Sequence, residues 1–215
     1  MNKKTLLWIT SLLCLLPIIF SVVVYSSLPE QIAIHWNGAG MPDNYAHKAV
    51  AAFGLPVVFL AINLFSKARL LNDPKEAGQS QAIRQVGIWL IPILSIVLVP
   101  VTLSIAMGAN IPIVLLCTLV VGILLIIIGN YLPKSRQNHT IGIKLPWTLA
   151  NADNWNKTHR LAGYLYIAGG TLLIGSNFLL SNAVAQILVT AMIVVVLVVI
   201  PIIYSYTQYT HGKAK

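Results

Sequence analysis

Six apolar runs, each about as long as a bilayer is thick, decide what this chain can become. A membrane-spanning helix needs about 20 mostly apolar residues. Thr5–Ser26, Ala49–Ser66, Val86–Met107, Ile111–Tyr131, Leu161–Ser181 and Ala183–Tyr206 come close to or exceed that length, and none has Asp, Glu, Lys, Arg or His in its interior. A charge at the centre of a span costs about 2.5–3.5 kcal/mol on an insertion scale, so six charge-free interiors are informative. They predict an all-α integral membrane protein, multi-pass in a cell membrane, with six transmembrane helices. The second run is the weakest, with Gly54, Pro56 and Asn63 inside it, but Lys48 and Lys67 at its flanks mark membrane edges. The first run follows Met1-Asn2-Lys3-Lys4 in the manner of a signal peptide. It exceeds the roughly 7–15 residues of a signal core and no clean small-residue cleavage site follows, so it reads as a retained helix.

The charges set the orientation. Only 9% of the residues are charged, against about 25% in soluble domains. Five acids against fourteen bases give +9, which in a soluble protein would point to nucleic acid. Here the bases sit in short loops. The N-terminus, Lys67–Arg84, Lys134–Arg160 and the C-terminus hold thirteen of them, and the alternate connections hold one, Lys48. The positive-inside bias then places both termini and the Gly129–Gly163 loop in the cytoplasm and Ser27–Lys48 outside, with no direct nucleic-acid role. Three segments follow: residues 1–66, a two-helix unit with the outer loop 27–48; 67–128, a linker with helices three and four; and 129–215, a long inner loop with helices five and six.

In the outer loop, Gln31–Trp36 is an apolar run that can be extended, followed by turn chemistry at Asn37-Gly38-Ala39-Gly40 and Met41-Pro42-Asp43-Asn44. A short hairpin on the outer face is expected. Trp36 and Tyr45 suit the headgroup region. The spacing of His35, Asp43 and His47 fits no metal-ligand motif. Exposed aromatics with a few fixed polar groups instead suit recognition of an extracellular peptide. The candidate toxin-facing residues are Glu30, His35, Trp36, Asp43, Tyr45 and His47.

In the inner loop, Pro133 ends helix four, and Lys134 and Arg136 anchor it. Asn138–Thr148, with Gly142 and Pro146, has no helical period and is expected to lie across the inner face. Asn151 or Asp153 can cap a helix that runs into the fifth span. On it Trp155 and His159, four apart, share a face, while Lys157 and Arg160 would snorkel to headgroups. Trp147 and Trp155 read as interface anchors. His139 and His159 have no carboxylate near them in sequence other than Asp153 to orient them, and no nucleophile or phosphate loop stands out, so the chain reads as a non-enzyme with no catalytic, metal or cofactor site. Cys14 and Cys117 read as small apolar side chains packed between helices. Gly163, Gly169, Gly170 and Gly175 allow close helix approach. Prolines and glycines in the spans, with Asn63, Asn130 and Asn177, leave a small-molecule permease as the alternative, although the charge-free spans argue against a proton-coupled pump.

The inner loop carries Gly129-Asn130, Leu132-Pro133-Lys134, Ile141-Gly142-Ile143, Pro146-Trp147-Thr148-Leu149, Trp155, Thr158-His159-Arg160 and Gly163. In this pattern the chain resembles the SdpI family, membrane immunity proteins of Gram-positive bacteria against the sporulation-delaying peptide toxin. The outer loop, with Leu28-Pro29, Ile32, His35-Trp36-Asn37, Gly40, Asp43 and Lys48, is similar to a domain of unknown function that often precedes that signature. Together the two patterns cover nearly the whole chain. The resemblance implies protection from a secreted antimicrobial peptide and signal transduction in which the toxin-bound protein holds a transcriptional repressor at the membrane. It marks Asn130, Pro133, Lys134, Gly142, Pro146, Trp147, Trp155, His159 and Arg160 as inner-loop signature and partner residues.

Overall fold

The computed structural model describes residues 2–71, 81–139 and 141–213. Lys75 and Lys215, two of the bases that set the orientation, lie outside the described residues. The chain folds into helices α1 (Lys3–Leu15), α2 (Pro17–Val24), α3 (Leu55–Leu71), α4 (Gln81–Ala106), α5 (Ile113–Tyr131), α6 (Pro146–Ala150), α7 (Ala152–Leu179) and α8 (Ala183–Lys213). Strands β1 (Gln31–Trp36) and β2 (Pro42–His47) form an antiparallel hairpin in the Ser27–Lys48 loop. Among the described residues, five stretches are long and apolar enough to cross a membrane: Lys3–Ser27, Val50–Arg69, Arg84–Ala106, Ile113–Lys134 and Ala183–His211. The remaining expected span, Leu161–Ser181, lies mostly in α7 and is not among the five. Its glycines, tyrosines and Asn177 dilute the apolar residues.

Prolines shape the first three of these stretches. Pro17 breaks the first at Leu16, and α2 restarts with the proline at its first position, where a missing N–H costs nothing. In the second, a π turn at Val50–Gly54 precedes α3. Pro56 has no N–H for the carbonyl of Ala52, and Ser21 Oγ donates to that carbonyl instead, at 2.7 Å. In α4, Pro92 leaves the Ile88 carbonyl without its helical donor. The ammonium of Lys67 fills the gap, donating to Ile88 O at 2.5 Å and Gly87 O at 3.2 Å. Lys67 is thus buried. In an apolar surrounding a carbonyl freed by proline must find a donor, and here a neighbouring helix supplies it.

Two compact units follow. The first is Met1–Asn72 with Gln85–Ile113. Thr10 accepts from Asn63 Nδ2 at 3.2 Å, and Ser95 Oγ donates to the Cys14 carbonyl at 2.7 Å. Asn63 is therefore a buried interhelical group rather than a path-lining one. The hairpin is seated on this unit by Leu28 and Ile32, which pack with Ala51, Ala52, Val99 and Leu103. A fully buried side chain of that size contributes about 1.5–3 kcal/mol.

The second unit is Asp73–Arg84 with Val114–Lys215. Its α5 and α7 meet through two glycine pairs. A Cβ on Gly122 would lie 3.0 Å from the Gly170 carbonyl, and one on Gly129 would lie 2.7 Å from the Gly163 carbonyl. Such seams let helix backbones approach closely inside a bilayer. Asn177 accepts from Thr118 at 2.9 Å along the same seam. Leu173 of α7 packs with Ile193 and Leu197 of α8. Cys14 is buried as expected, whereas Cys117 is exposed on its helix and is not packed between helices.

Candidate functional site

The outer hairpin is held by its own backbone and by paired ions. Gln31 stands opposite His47, Ile32 opposite Ala46 and Ala33 opposite Tyr45, with irregular register between Ala33 and Trp36. At the tip, Asn37 Oδ1 accepts from the N–H of Ala39 at 3.0 Å and of Met41 at 3.1 Å, and Gly40 takes a φ of 77°. At the base, Glu30 binds Lys48 at 2.8 Å and His47 at 3.2 Å. The hydrogen bond between Glu30 and Lys48 pulls the carboxyl below its ordinary range and raises the lysine. The Lys48 ammonium also sits over the Tyr25 ring, 5.2 Å from its centroid. Nearer the tip, His35 Nδ1 lies 2.5 Å from Asp43 Oδ1. The four ionisable candidates therefore form two separate pairs. Among the described residues no three His, Cys, Asp or Glu side chains converge as metal ligands.

The inner loop is built around a stacked pair. Asn151 caps α7, its side chain accepting from the N–H of Asp153 and of Asn154. One turn on, the Trp155 and His159 rings stack at 3.9 Å, and both residues are fully buried. Trp155 Nε1 donates to the Ser135 carbonyl at 2.8 Å. His159 Nε2 accepts from the N–H of Ile143 at 3.0 Å, while Nδ1 lies 2.8 Å from the Trp155 carbonyl and can only be the donor there. These contacts require a neutral ring with its proton on Nδ1. Burial agrees, pushing His159 down to about 4 from 6.5. Gly142 closes over the stack with a φ of 120°. A Cβ there would overlap His159 Nε2 and come within 2.9 Å of the Trp155 ring. Asn138 Oδ1 accepts from the Ile141 N–H at 2.7 Å, and Gln137 Nε2 donates to the Leu149 carbonyl at 2.7 Å.

Both halves match known sequences. The SdpI/YfhL protein family model matches residues 134–205, and the domain of unknown function DUF1648 matches residues 12–60. The Immunity protein SdpI of Bacillus subtilis (strain 168) is 30% identical over 201 residues, covering 94% of each chain. The chain belongs to the SdpI family. It is a multi-pass membrane protein. No solved structure matches it.

The SdpI signature residues divide into an inward and an outward set. Trp155, His159 and Gly142 turn inward. Trp155 is not an interface anchor, because its N–H and its ring are both satisfied inside the loop. Pro146 and Trp147 begin the short helix α6 where a non-helical path was expected. Proline suits the first helical position, and Thr148 Oγ1 accepts from the Leu145 N–H at 2.9 Å to close the turn. Trp147 is half-buried, donating from Nε1 to Ser205 Oγ at 2.9 Å and packing on Tyr206 at 5.4 Å. Lys157 pairs with Asp153 at 2.8 Å, a bond that raises its pKa. Asn130, Pro133, Lys134 and Arg160 are exposed. On the hairpin Glu30, His35, Asp43, Tyr45 and His47 are exposed and Trp36 is half-buried. Three groups that tie the inner loop lay outside the sequence reading of the site: Gln137, Asn138 and Ser205. The turn chemistry of Asn138 carried a signal. Ser205, one hydroxyl near the end of an apolar run, carried none.

Proposed function

We propose that this chain is a membrane immunity protein, one that protects its cell from a secreted antimicrobial peptide and acts by binding rather than catalysis. The carrying observation is the identity with the Bacillus subtilis Immunity protein SdpI along almost the whole of both chains. In this reading the chain crosses the bilayer six times, with both termini and the Gly129–Gly163 loop in the cytoplasm, as the thirteen-to-one distribution of basic residues favours. The exposed hairpin residues Glu30, His35, Asp43, Tyr45 and His47, with Trp36, are assigned to the toxin. A transcriptional repressor would meet the cytoplasmic loop through its outward signature residues Asn130, Pro133, Lys134, Pro146 and Arg160. The binding reading is supported by the neutral, fully occupied His159, which has no free nitrogen for proton transfer. The deciding experiment deletes the gene and challenges cells with the sporulation-delaying peptide. Lower survival and collapse of membrane potential are expected. Unchanged survival and potential would overturn the proposal.

A further inference from the structure

The pairing parity of the hairpin fixes which of its backbone groups face outward. The Lys48 N–H donates to the Glu30 carbonyl at 2.9 Å. In an antiparallel ladder, opposed residues alternate between pairs that exchange hydrogen bonds and pairs whose N–H and C=O point away from each other. With Gln31 opposite His47, Ile32 opposite Ala46 and Ala33 opposite Tyr45, a bonded pair at Glu30 and Lys48 makes Ile32 and Ala46 the next one. The N–H and C=O of Tyr45 and His47 therefore point out of the hairpin along the free side of β2. Those of Gln31 and Ala33 point out along β1.

The two sides differ. On β1, Ile32 is buried, Ala33 and Ile34 are half-buried, and an extra residue at Ile34 interrupts the repeat. On β2, Pro42, Asp43, Asn44, Tyr45 and His47 are all exposed; an extra residue at Asp43 interrupts the repeat near the tip, and the pairing is regular from Tyr45 to His47. An exposed, unpaired strand edge is a template for another strand. The charged groups of the hairpin are meanwhile engaged with one another, Glu30 with Lys48 and His47, and His35 with Asp43. What this strand offers an incoming peptide is main-chain pairing, with the side chains of Tyr45 and His47, two residues apart, to read it.

We propose that the β2 edge at Tyr45–His47 receives an extended segment of the peptide toxin as a third strand. This rests on the immunity reading above. Addition of a strand gives affinity through main-chain hydrogen bonds and specificity through alternate side chains. It also turns a two-stranded hairpin, marginal alone, into a three-stranded sheet.

The test has a protection arm and an exchange arm. Cells carrying wild type, Tyr45→Pro or Tyr45→Ala are challenged with the sporulation-delaying peptide. Proline at position 45 removes an outward N–H without breaking a ladder bond, a placement that edge strands tolerate, and alanine removes only the side chain. Tyr45→Pro is expected to fall to the survival of cells lacking the protein, and Tyr45→Ala, which loses its side-chain contact but keeps the outward N–H, to fall only part of the way. In the second arm, wild-type protein in nanodiscs is followed by amide exchange with and without the same peptide. The Tyr45 and His47 amides are expected to slow at least ten-fold, and this arm decides alone if the proline variant does not reach the membrane. Equal loss in both variants, or unchanged exchange at Tyr45 and His47 in a wild type that protects, overturns the strand-addition inference alone. Slow exchange without peptide that depends on protein concentration assigns the edge to a second copy and also overturns it. A wild type that gives no protection overturns the immunity reading and this inference with it.

Discussion

Acidification should loosen the inner loop through one residue. His159 accepts the Ile143 N–H on Nε2 and places its Nδ1 proton against the Trp155 carbonyl. Protonating Nε2 would turn the acceptor into a donor facing another donor, on a ring that is fully buried. The folded ring accordingly titrates near 4, against 6.5 when free. Between those values the opened loop binds a proton that the closed loop refuses, so stability falls as pH falls. At 1.36 kcal/mol per pH unit the loss is about 2 kcal/mol at pH 5 and about 3 kcal/mol by pH 4. Above pH 7 the contribution is complete and flat. The Ile143 amide is the direct probe, because its donor bond is the one lost. Its opening free energy from amide exchange, corrected for the intrinsic pH dependence of exchange, should drop by about 2 kcal/mol between pH 7 and pH 5. The melting temperature should fall by roughly 4–8 °C over the same range. His159→Gln should abolish the slope. Protection of Ile143 that is level from pH 7 to pH 5, or a slope that survives His159→Gln, would refute the neutral-histidine latch.

Other predictions use different contacts. Gly142→Ala should destabilise the loop by about 2–4 kcal/mol, combining an unfavourable positive φ with displacement of the stack; a melt within 1 kcal/mol of wild type would contradict it. Lys67→Met should cost about 1–3 kcal/mol by stranding the Ile88 carbonyl. Pro92→Ala restores a helical donor to that carbonyl, so the lysine change should cost clearly less in that background, and strict additivity in the double-mutant cycle would show that the two residues do not share the group. A membrane-impermeant amine reagent on intact cells should modify Lys48 and spare Lys144. The reverse pattern would invert the proposed topology.

How much could be read in advance depended on whether the controlling physics was local. The apolar runs are local, and helices formed on all six. The hairpin was legible because Asn37–Gly40 is turn chemistry whatever lies around it. The i, i+4 face of Trp155 and His159 and the Asn151 cap were legible for the same reason. The failures share a cause: a polar group whose partner lies far away in sequence. Nothing near Lys67 announces that its ammonium will meet the carbonyl that Pro92 frees. Trp155 reads as an interface anchor until Ser135, twenty residues earlier, is found to take its N–H. The split of the first run at Leu16 is a milder case, since Pro17 announced a kink but not a restart.

The same division says where to look for what distinguishes this protein from its relatives. A signature dominated by Gly142, Thr148, Trp155 and His159 is a signature of closure. Each of these side chains, or the missing one of Gly142, is committed to another part of the same loop, and any change costs stability before it alters recognition. Residues whose side chains close neither the loop nor the hairpin are outward ones: Arg160 on α7 and Tyr45 on β2. If one scaffold serves against different peptides, the main-chain edge of β2 can stay common while the side chain at position 45 changes. Exchanging Tyr45 for the equivalent of the Bacillus subtilis relative should then move peptide preference without moving the melting temperature. A shift in stability with no shift in preference would place recognition elsewhere in the chain.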